Sequence, residues 1–284
     1  MFQSFTIKNF RCFRELNFGS DQKPLGRINL IAGKNNTGKT ALLEGLFLHL
    51  GPNNPALPMS LNPHRGIEQL DLGDAEEMWG WLFFRKQLDD VIELISRRDD
   101  SRECTLKIRL AELEGEMIVA PTSGATKPTA LSGSLTTGGR ARELILDYLD
   151  SAGPTGITRV GLTGVGFKVK QTQLGPFPLG VFLSTHLRMP KEDAERFSKL
   201  EQVGRESEVA ATLQILEPRL KRLAVLVSGG TPIIHGDLGM GRLVPVPFMG
   251  EGMVRLLSIV LAIASAKGGT ILVDEIETAV TTRC

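Results

Sequence analysis

The stretch GKNNTGKT places Gly33, Gly38, Lys39 and Thr40 in the spacing G-x-x-x-x-G-K-[ST]. Glycines so spaced let successive backbone N–H groups turn toward one point, and a helix starting there adds its own unpaired N–H groups and dipole. That arrangement captures the phosphates of ATP. Lys39 is expected to reach the β- and γ-phosphates, and the Thr40 hydroxyl to ligate Mg2+. Thr37 and Ala41 complete the candidate nucleotide cradle. Asn35 and Asn36 tolerate left-handed backbone, so they read equally as turn residues or as nucleotide neighbours. A plain strand-to-helix turn with a solvated Lys39 is the bland alternative, and the full motif in this context weighs against it.

A second group of residues lies far downstream. In GTILVDEIE an apolar run ends in paired acids, the position where an open α/β sheet binds ligands at the carboxyl ends of its strands. Asp274 is expected to hold Mg2+, directly or through water, and Glu275 to orient or deprotonate the attacking water. Just upstream, Gly250, Glu251 and Gly252 open the long apolar-faced run GEGMVRLLSIVLAIASA. They mark either an ordinary glycine-flanked helix start or a further backbone anion site.

These residues need elements to position them. FQSFTIKNF, LNF and GRINLIAG read as short strands leading into the loop, and Leu42, Leu43, Leu46, Phe47 and Leu50 then recur at helical spacing until GPNNP. From Trp79 to Ala120 the segments WGWLFFRKQLDD, VIELISRR, ECTLKIRLAE and GEMIVA read as a loop or short helix followed by an antiparallel meander. Residues 79–175 are therefore expected to form an inserted β-rich lobe, with the Gly/Ser/Thr/Pro-rich 121–141 as a flexible loop. GITRVGLTGVGFKVKQ and GVFLSTH read as strands, PKEDAERFSKLEQV and ESEVAATLQIL as helices. After Pro218 come LAVLVSG, TPIIHG and RLVPVPF as strands, a helix from about Glu251 to Lys267, and a buried strand Thr270 to Asp274. Trp79 and Trp81 are expected to pack within the lobe, Arg219, Lys221 and Arg222 to form a solvated helix face, and Cys12 and Cys104 to be small buried residues.

Composition bounds the alternatives. With 284 residues, 42% of them hydrophobic, the chain can bury a sizeable core. Lys and Arg total 33 against 32 Asp and Glu, so no whole-chain charge argues for nucleic acid or an anionic membrane. The three cysteines, Cys12, Cys104 and Cys284, lack a CxxC pair and suggest neither a disulfide framework nor zinc, which fits a cytoplasmic protein. No stretch approaches the roughly 20 apolar residues of a membrane helix.

Taken in order, the phosphate loop, the glycine-flanked helix and the adjacent acidic strand resemble the ABC-type ATPase heads of the RecF, SMC and OLD group, and most of all bacterial AAA-family proteins of RecF-like or OLD-like type. FTIKNFRCFRELNF, LGRINLIAGKNNTGKTALLEGLFL, PNNP and PVPFMGEGMVRLLSIVLAIASAKGGTILVDEIE carry the resemblance; between about Ser101 and Gln173 it is weak. It implies a single α/β P-loop domain over residues 1–284, a mixed central sheet flanked by helices with an antiparallel β lobe. It also implies a homodimer or higher oligomer in which two heads sandwich ATP. Arg11 would then lie near the nucleotide, and Gly250, Glu251 and Gly252 would act across the dimer. Two departures stand out: PFMGEGM lacks the serine that many such signatures use, and none of His49, His64, His186 and His235 follows Glu275. In the family more strands follow the acidic one, so the C-terminal part of the fold is expected to be missing and ETAVTTRC poorly ordered.

The leading expectation is an ATP-hydrolysing switch with nucleotide-gated dimerisation, linked to DNA repair or anti-phage defence, with possible DNA and effector or nuclease partner chains. The opposing one is a binding module that holds ATP and needs a partner chain for turnover. A nuclease within this chain is disfavoured, because no acidic cluster follows the ATPase motifs.

Overall fold

The computed structural model describes residues 2–66, 74–112, 142–163, 166–175, 177–185 and 189–279. In chain order the early elements are β1 (Phe2–Phe10), β2 (Phe13–Phe18), α1 (Lys39–Leu50), the one-turn α2 (Leu57–Ser60) and α3 (Ala75–Trp79). Strands β3 (Ile92–Arg98), β4 (Glu103–Glu112), β5 (Arg142–Asp150), β6 (Gly156–Thr163), β7 (Gly166–Gln171) and β8 (Gly180–Leu183) follow. The chain continues through α4 (Pro190–Glu201), α5 (Glu206–Leu213), β9 (Arg222–Ser228), β10 (Thr231–Asp237), β11 (Leu243–Pro245), α6 (Glu251–Ser265) and β12 (Thr270–Val273). Two compact units result: Met1–Asn29 with Gln69–Leu174, and Leu30–Glu68 with Gly175–Cys284.

The first unit is built on a seven-stranded antiparallel sheet in the order β2-β1-β3-β4-β5-β6-β7. Period-two alternation sets its faces, because successive side chains point to opposite sides of a strand. Ile7, Leu94, Leu106 and Tyr148 stand in one cross-strand file and are buried. One residue along, Lys8, Glu93, Lys107 and Asp147 form the neighbouring file on the opposite face. There Glu93 accepts from both Lys8 and Lys107 at 3.2 Å. Opposite charges facing each other across strands support that register, each by a fraction of a kcal/mol. The sheet joins the N-terminal hairpin to β3 through β7; of these β5 was not expected, and GITRVGLTGVGFKVKQ, read as a single strand, forms both β6 and β7.

The second unit holds the phosphate loop. Strands β8 and β12 pair in parallel, Ile271 opposite Val181 and Leu272 opposite Phe182. Strands β11-β10-β9 form a separate antiparallel sheet. On α6, Met253, Leu257 and Leu261 recur every fourth residue and pack with Ala194, Phe197 and Leu200 of α4, Val209 and Leu213 of α5, Leu223 of β9 and Ile234 of β10. Val181, Ala262 and Ala266 close the other side of α6 around β8. No helix among the described residues is long and apolar enough to cross a membrane.

Several expectations need correction. The described strands form three sheets in place of one mixed sheet, and the run at 28–32 is not a strand. Ile28 and Leu30 are 90% and 80% exposed. At the start of the run, the Asn29 side chain accepts from Gly26 N–H at 2.9 Å and donates to Gly26 C=O at 2.8 Å, a local side-chain turn over 26–29. In β12 only Leu272 is buried, with Thr270, Ile271 and Val273 half-buried, because β8 is its one neighbour among the described strands. Helix α6 ends at Ser265, two residues short of the expected end, where the chain turns through Gly268 into β12. Arg219 and Lys221 lie in the connection after Pro218 and Arg222 begins β9, so they share no helix face; Leu220 between them is buried. Trp79 is buried, whereas Trp81 is exposed with the Lys86 ammonium 4.0 Å from its ring centroid. Cys104 is buried and Cys12 exposed. Of ETAVTTRC, residues 277–279 complete a short 3-10 helix, Ile276–Ala279, and the rest lies outside the described residues, as do the 115–120 strand and the 121–141 loop.

Candidate functional site

The phosphate loop folds as its residue types require. Gly38, the residue before α1, has φ 93° and ψ 13°, a left-handed conformation that glycine adopts without the penalty a side chain brings. Asn36 is also left-handed at φ 64°, as its residue type allows. The loop is tied inward by side chains. Lys39 Nζ donates to the carbonyls of Gly33 at 2.7 Å and Lys34 at 3.0 Å, and Thr37 Oγ1 donates to Lys34 C=O at 2.8 Å. The ammonium thus arches over the loop, and a β-carbon at Gly33 would stand 3.1 Å from Thr37 Oγ1. Ala41 is buried and seats the first turn of α1.

Across this loop stands the acidic strand end. Thr40 Oγ1 donates to Asp274 Oδ2 at 2.8 Å, joining residues 234 positions apart. Asp274 is buried, and its N–H donates to Leu183 C=O at 3.0 Å, which continues the β8–β12 ladder by one rung. Glu275 follows, exposed, at φ 49°, a left-handed backbone costing about 1 kcal/mol or more for a residue with a side chain. Hydroxyl and carboxylate are hard oxygen donors, and Mg2+ takes one or two protein oxygens while keeping waters and phosphate oxygens. The Thr40–Asp274 pair fits that demand. Among the described residues no group of three or more His, Cys, Asp or Glu forms a fuller metal cage.

Gly250 precedes α6 at φ 115° and ψ 158°, with no side-chain cap on the helix and open space where a β-carbon would project. Glu251 occupies the first turn and Gly252 the next position. Arg11 lies in the first unit, in the turn between β1 and β2; its N–H donates to Leu82 C=O at 2.7 Å and its Nη1 to Trp81 C=O at 3.2 Å.

Sequence reasoning missed four features of the second unit. Arg255 of α6 donates from Nη1 to Ser184 C=O at 2.8 Å and from Nη2 to Leu183 C=O at 3.1 Å and to Asp274 C=O. Glu44, fully buried in α1, receives both arms of Arg65 at 2.6 and 2.8 Å. His64 Nδ1 lies 2.9 Å from Ser184 Oγ, and burial holds its pKa below the ordinary value despite Glu44 and Glu192 nearby. Buried Asp193 accepts from Ser258 Oγ at 2.5 Å and Arg196 Nη1 at 3.1 Å, and its burial raises its pKa. A small cavity of about 60 Å3 between these groups is lined by His64, Ser184, Asp193, Arg196, Arg255 and Ser258, apart from the phosphate loop. The signal was present for two of them: Arg255 and Glu44 are single charges inside otherwise apolar helical runs, an arrangement that needs a partner.

A glycine loop opening a helix, its lysine arched over it and its threonine bonded to an acid at a parallel strand's end define a P-loop nucleoside-triphosphate-binding protein. A family model described as an AAA domain matches residues 4–150, more than half of the 284, and the chain belongs to that family. Among similar proteins, one from Helicobacter pylori named ATP/GTP phosphatase is 22% identical over 290 aligned residues, covering 98% of this chain and 76% of the relative. An uncharacterized protein of Methanocaldococcus jannaschii is 50% identical over 50 residues, 18% of this chain and 21% of its own.

Proposed function

We propose that this protein is an ATP-hydrolysing switch of the ABC-type, RecF-like or OLD-like kind, in which nucleotide closes two heads on each other. The observation that carries the reading is the 2.8 Å bond from Thr40 to Asp274, which joins the phosphate loop to the acidic strand and supports a shared Mg2+ site there. The name ATP/GTP phosphatase on a relative of comparable extent supports triphosphate hydrolysis. In this reading Gly33 to Ala41 bind the triphosphate, Lys39 exchanges its loop carbonyls for the β- and γ-phosphates, and Thr40 with Asp274 hold Mg2+. Held by Thr40 and Asp274, Mg2+ would supply charge neutralisation on the transferred phosphoryl group. Glu275 orients the attacking water and accepts its proton.

The uncapped, open Gly250–Gly252 turn supports docking of an anion from outside the protomer, the γ-phosphate held by a second copy. DNA repair or anti-phage defence, with DNA or an effector chain as partner, is the setting we assign to such a switch. The test is phosphate release from Mg2+-ATP and Mg2+-GTP by wild type, Lys39→Ala and Glu275→Gln. Wild-type release lost in both variants, with nucleotide binding lost only in Lys39→Ala, is the expected result. Release by the Glu275→Gln protein equal to wild type overturns the assignment.

A further inference from the structure

The Arg255 guanidinium gathers three backbone carbonyls at the edge of the site. Two belong to the end of β8, Leu183 and Ser184, and the third to Asp274, just beyond β12. The end of one parallel strand, the end of its neighbour and the second turn of α6 therefore meet on one side chain. A planar fork with five N–H donors suits this task, and an ammonium cannot reproduce its spread.

The consequence reaches Glu275 through the peptide bond. Asp274 C=O and Glu275 N–H belong to one rigid plane, so fixing that carbonyl fixes the plane from which Glu275's left-handed φ of 49° departs. Left to itself a glutamate relaxes from that conformation, which persists only where its surroundings over-determine it. The N-terminal side of Asp274 is held by its own N–H bond to Leu183 C=O, an acceptor that Arg255 also engages. Arg255 lies four residues beyond Glu251, so any tilt of the helix start that carries Gly250 and Gly252 is transmitted to the same carbonyls.

We infer that Arg255 is a positioning residue: it sets the aim of Asp274 and Glu275 and couples that aim to the glycine turn at the start of α6. The inference rests on the reading of Asp274 and Glu275 given above, and its test has one arm independent of that reading.

In the first arm, amide hydrogen exchange is measured on the nucleotide-free protein for wild type, Arg255→Lys and Arg255→Met. Exchange in peptides covering 183–185 and 272–277 is expected to rise about tenfold in both variants while α1 and β9–β10 stay protected, because the lysine keeps the charge but not the fork. Unchanged exchange at both segments in Arg255→Lys overturns the clamp, and this variant serves even where Arg255→Met fails to fold. In the second arm, with Mg2+-ATP, turnover is expected to fall about a hundredfold with nucleotide affinity within about threefold, since positioning acts on the transition state more than on binding. Added guanidinium should restore part of the turnover of Arg255→Ala. Equal losses of affinity and turnover, with no rescue, overturn the positioning role. Absence of phosphate release by wild type instead overturns the proposed function, and the exchange arm still decides the clamp.

Discussion

Thr40 Oγ1 and Asp274 Oδ2 share a 2.8 Å hydrogen bond although 234 residues separate them. Both atoms are oxygen donors that Mg2+ can take together with phosphate, and in the proposed function they do so as one unit. The two side chains should then be energetically coupled. Thr40→Val and Asp274→Asn are each expected to weaken Mg2+-dependent ATP binding about tenfold or more, and the double variant by far less than the product. Calorimetric titration of ATP with and without Mg2+ over the four proteins measures this. Multiplicative losses would show two residues acting independently.

The phosphate loop and the acidic strand end were legible as motifs because they combine residue identity with fixed spacing, and in the structure one side-chain bond, Thr40 to Asp274, joins them. Most strands of the first unit were legible too, since alternation along Ile92–Arg98 and Glu103–Glu112 reports which face is buried. Pairing is a different matter. The apolar run at 28–32 can form a strand only beside a partner strand, and none pairs with it among the described residues. Arg255 and Glu44 are charges in apolar runs and were passed over, because their partners, three backbone carbonyls and Arg65, lie across tertiary contacts that no local spacing encodes. Trp81 and Cys12 show the same limit, because residue type states a preference for burial and the position decides the outcome.

The Glu44–Arg65 pair supports α1 from behind the phosphate loop. Glu44 is fully buried and Arg65 is partly exposed, so removing the guanidinium takes the counter-charge from a carboxylate that water cannot reach. Arg65→Met is expected to lower stability by about 2 kcal/mol, less than for a fully buried pair because water already screens the arginine. Glu44→Gln with Arg65→Met should recover part of that loss. Thermal unfolding of the four proteins provides the comparison, and a neutral Arg65→Met would show that the pair contributes nothing.

His64 gives stability a pH dependence whose sign is fixed by its burial. Burial favours the neutral ring and lowers the folded-state pKa from 6.5, outweighing the opposite pull of Glu44 and Glu192. Between the folded pKa and 6.5 the unfolded chain binds more protons, so stability rises with pH over that window and is lost as pH falls through it. His64→Gln keeps a hydrogen-bonding group near Ser184 without titrating. Its melting temperature should change less than that of wild type between pH 7 and about pH 5. Parallel profiles would assign the acid sensitivity to other groups.

Gly250 tests the dimer reading at a single backbone position. Its φ of 115° and ψ of 158° lie in a region open in practice only to glycine, where a side chain costs about 1–3 kcal/mol. A β-carbon there meets nothing within 4 Å, so Gly250→Ala acts through the backbone and not through a clash inside the protomer. To escape the strain the turn must rotate, which re-aims the N–H groups at the start of α6. The phosphate loop lies elsewhere in the chain and keeps its own ties through Lys39 and Thr37. Gly250→Ala is therefore expected to leave ATP binding by the protomer within about threefold while ATP-dependent association falls about tenfold or more. Sedimentation of the Glu275→Gln protein with Mg2+-ATP, with and without Gly250→Ala, separates the two effects, since Glu275→Gln is expected to leave the nucleotide unhydrolysed. Association that is unaffected by Gly250→Ala would mean that the turn faces no phosphate of a second copy.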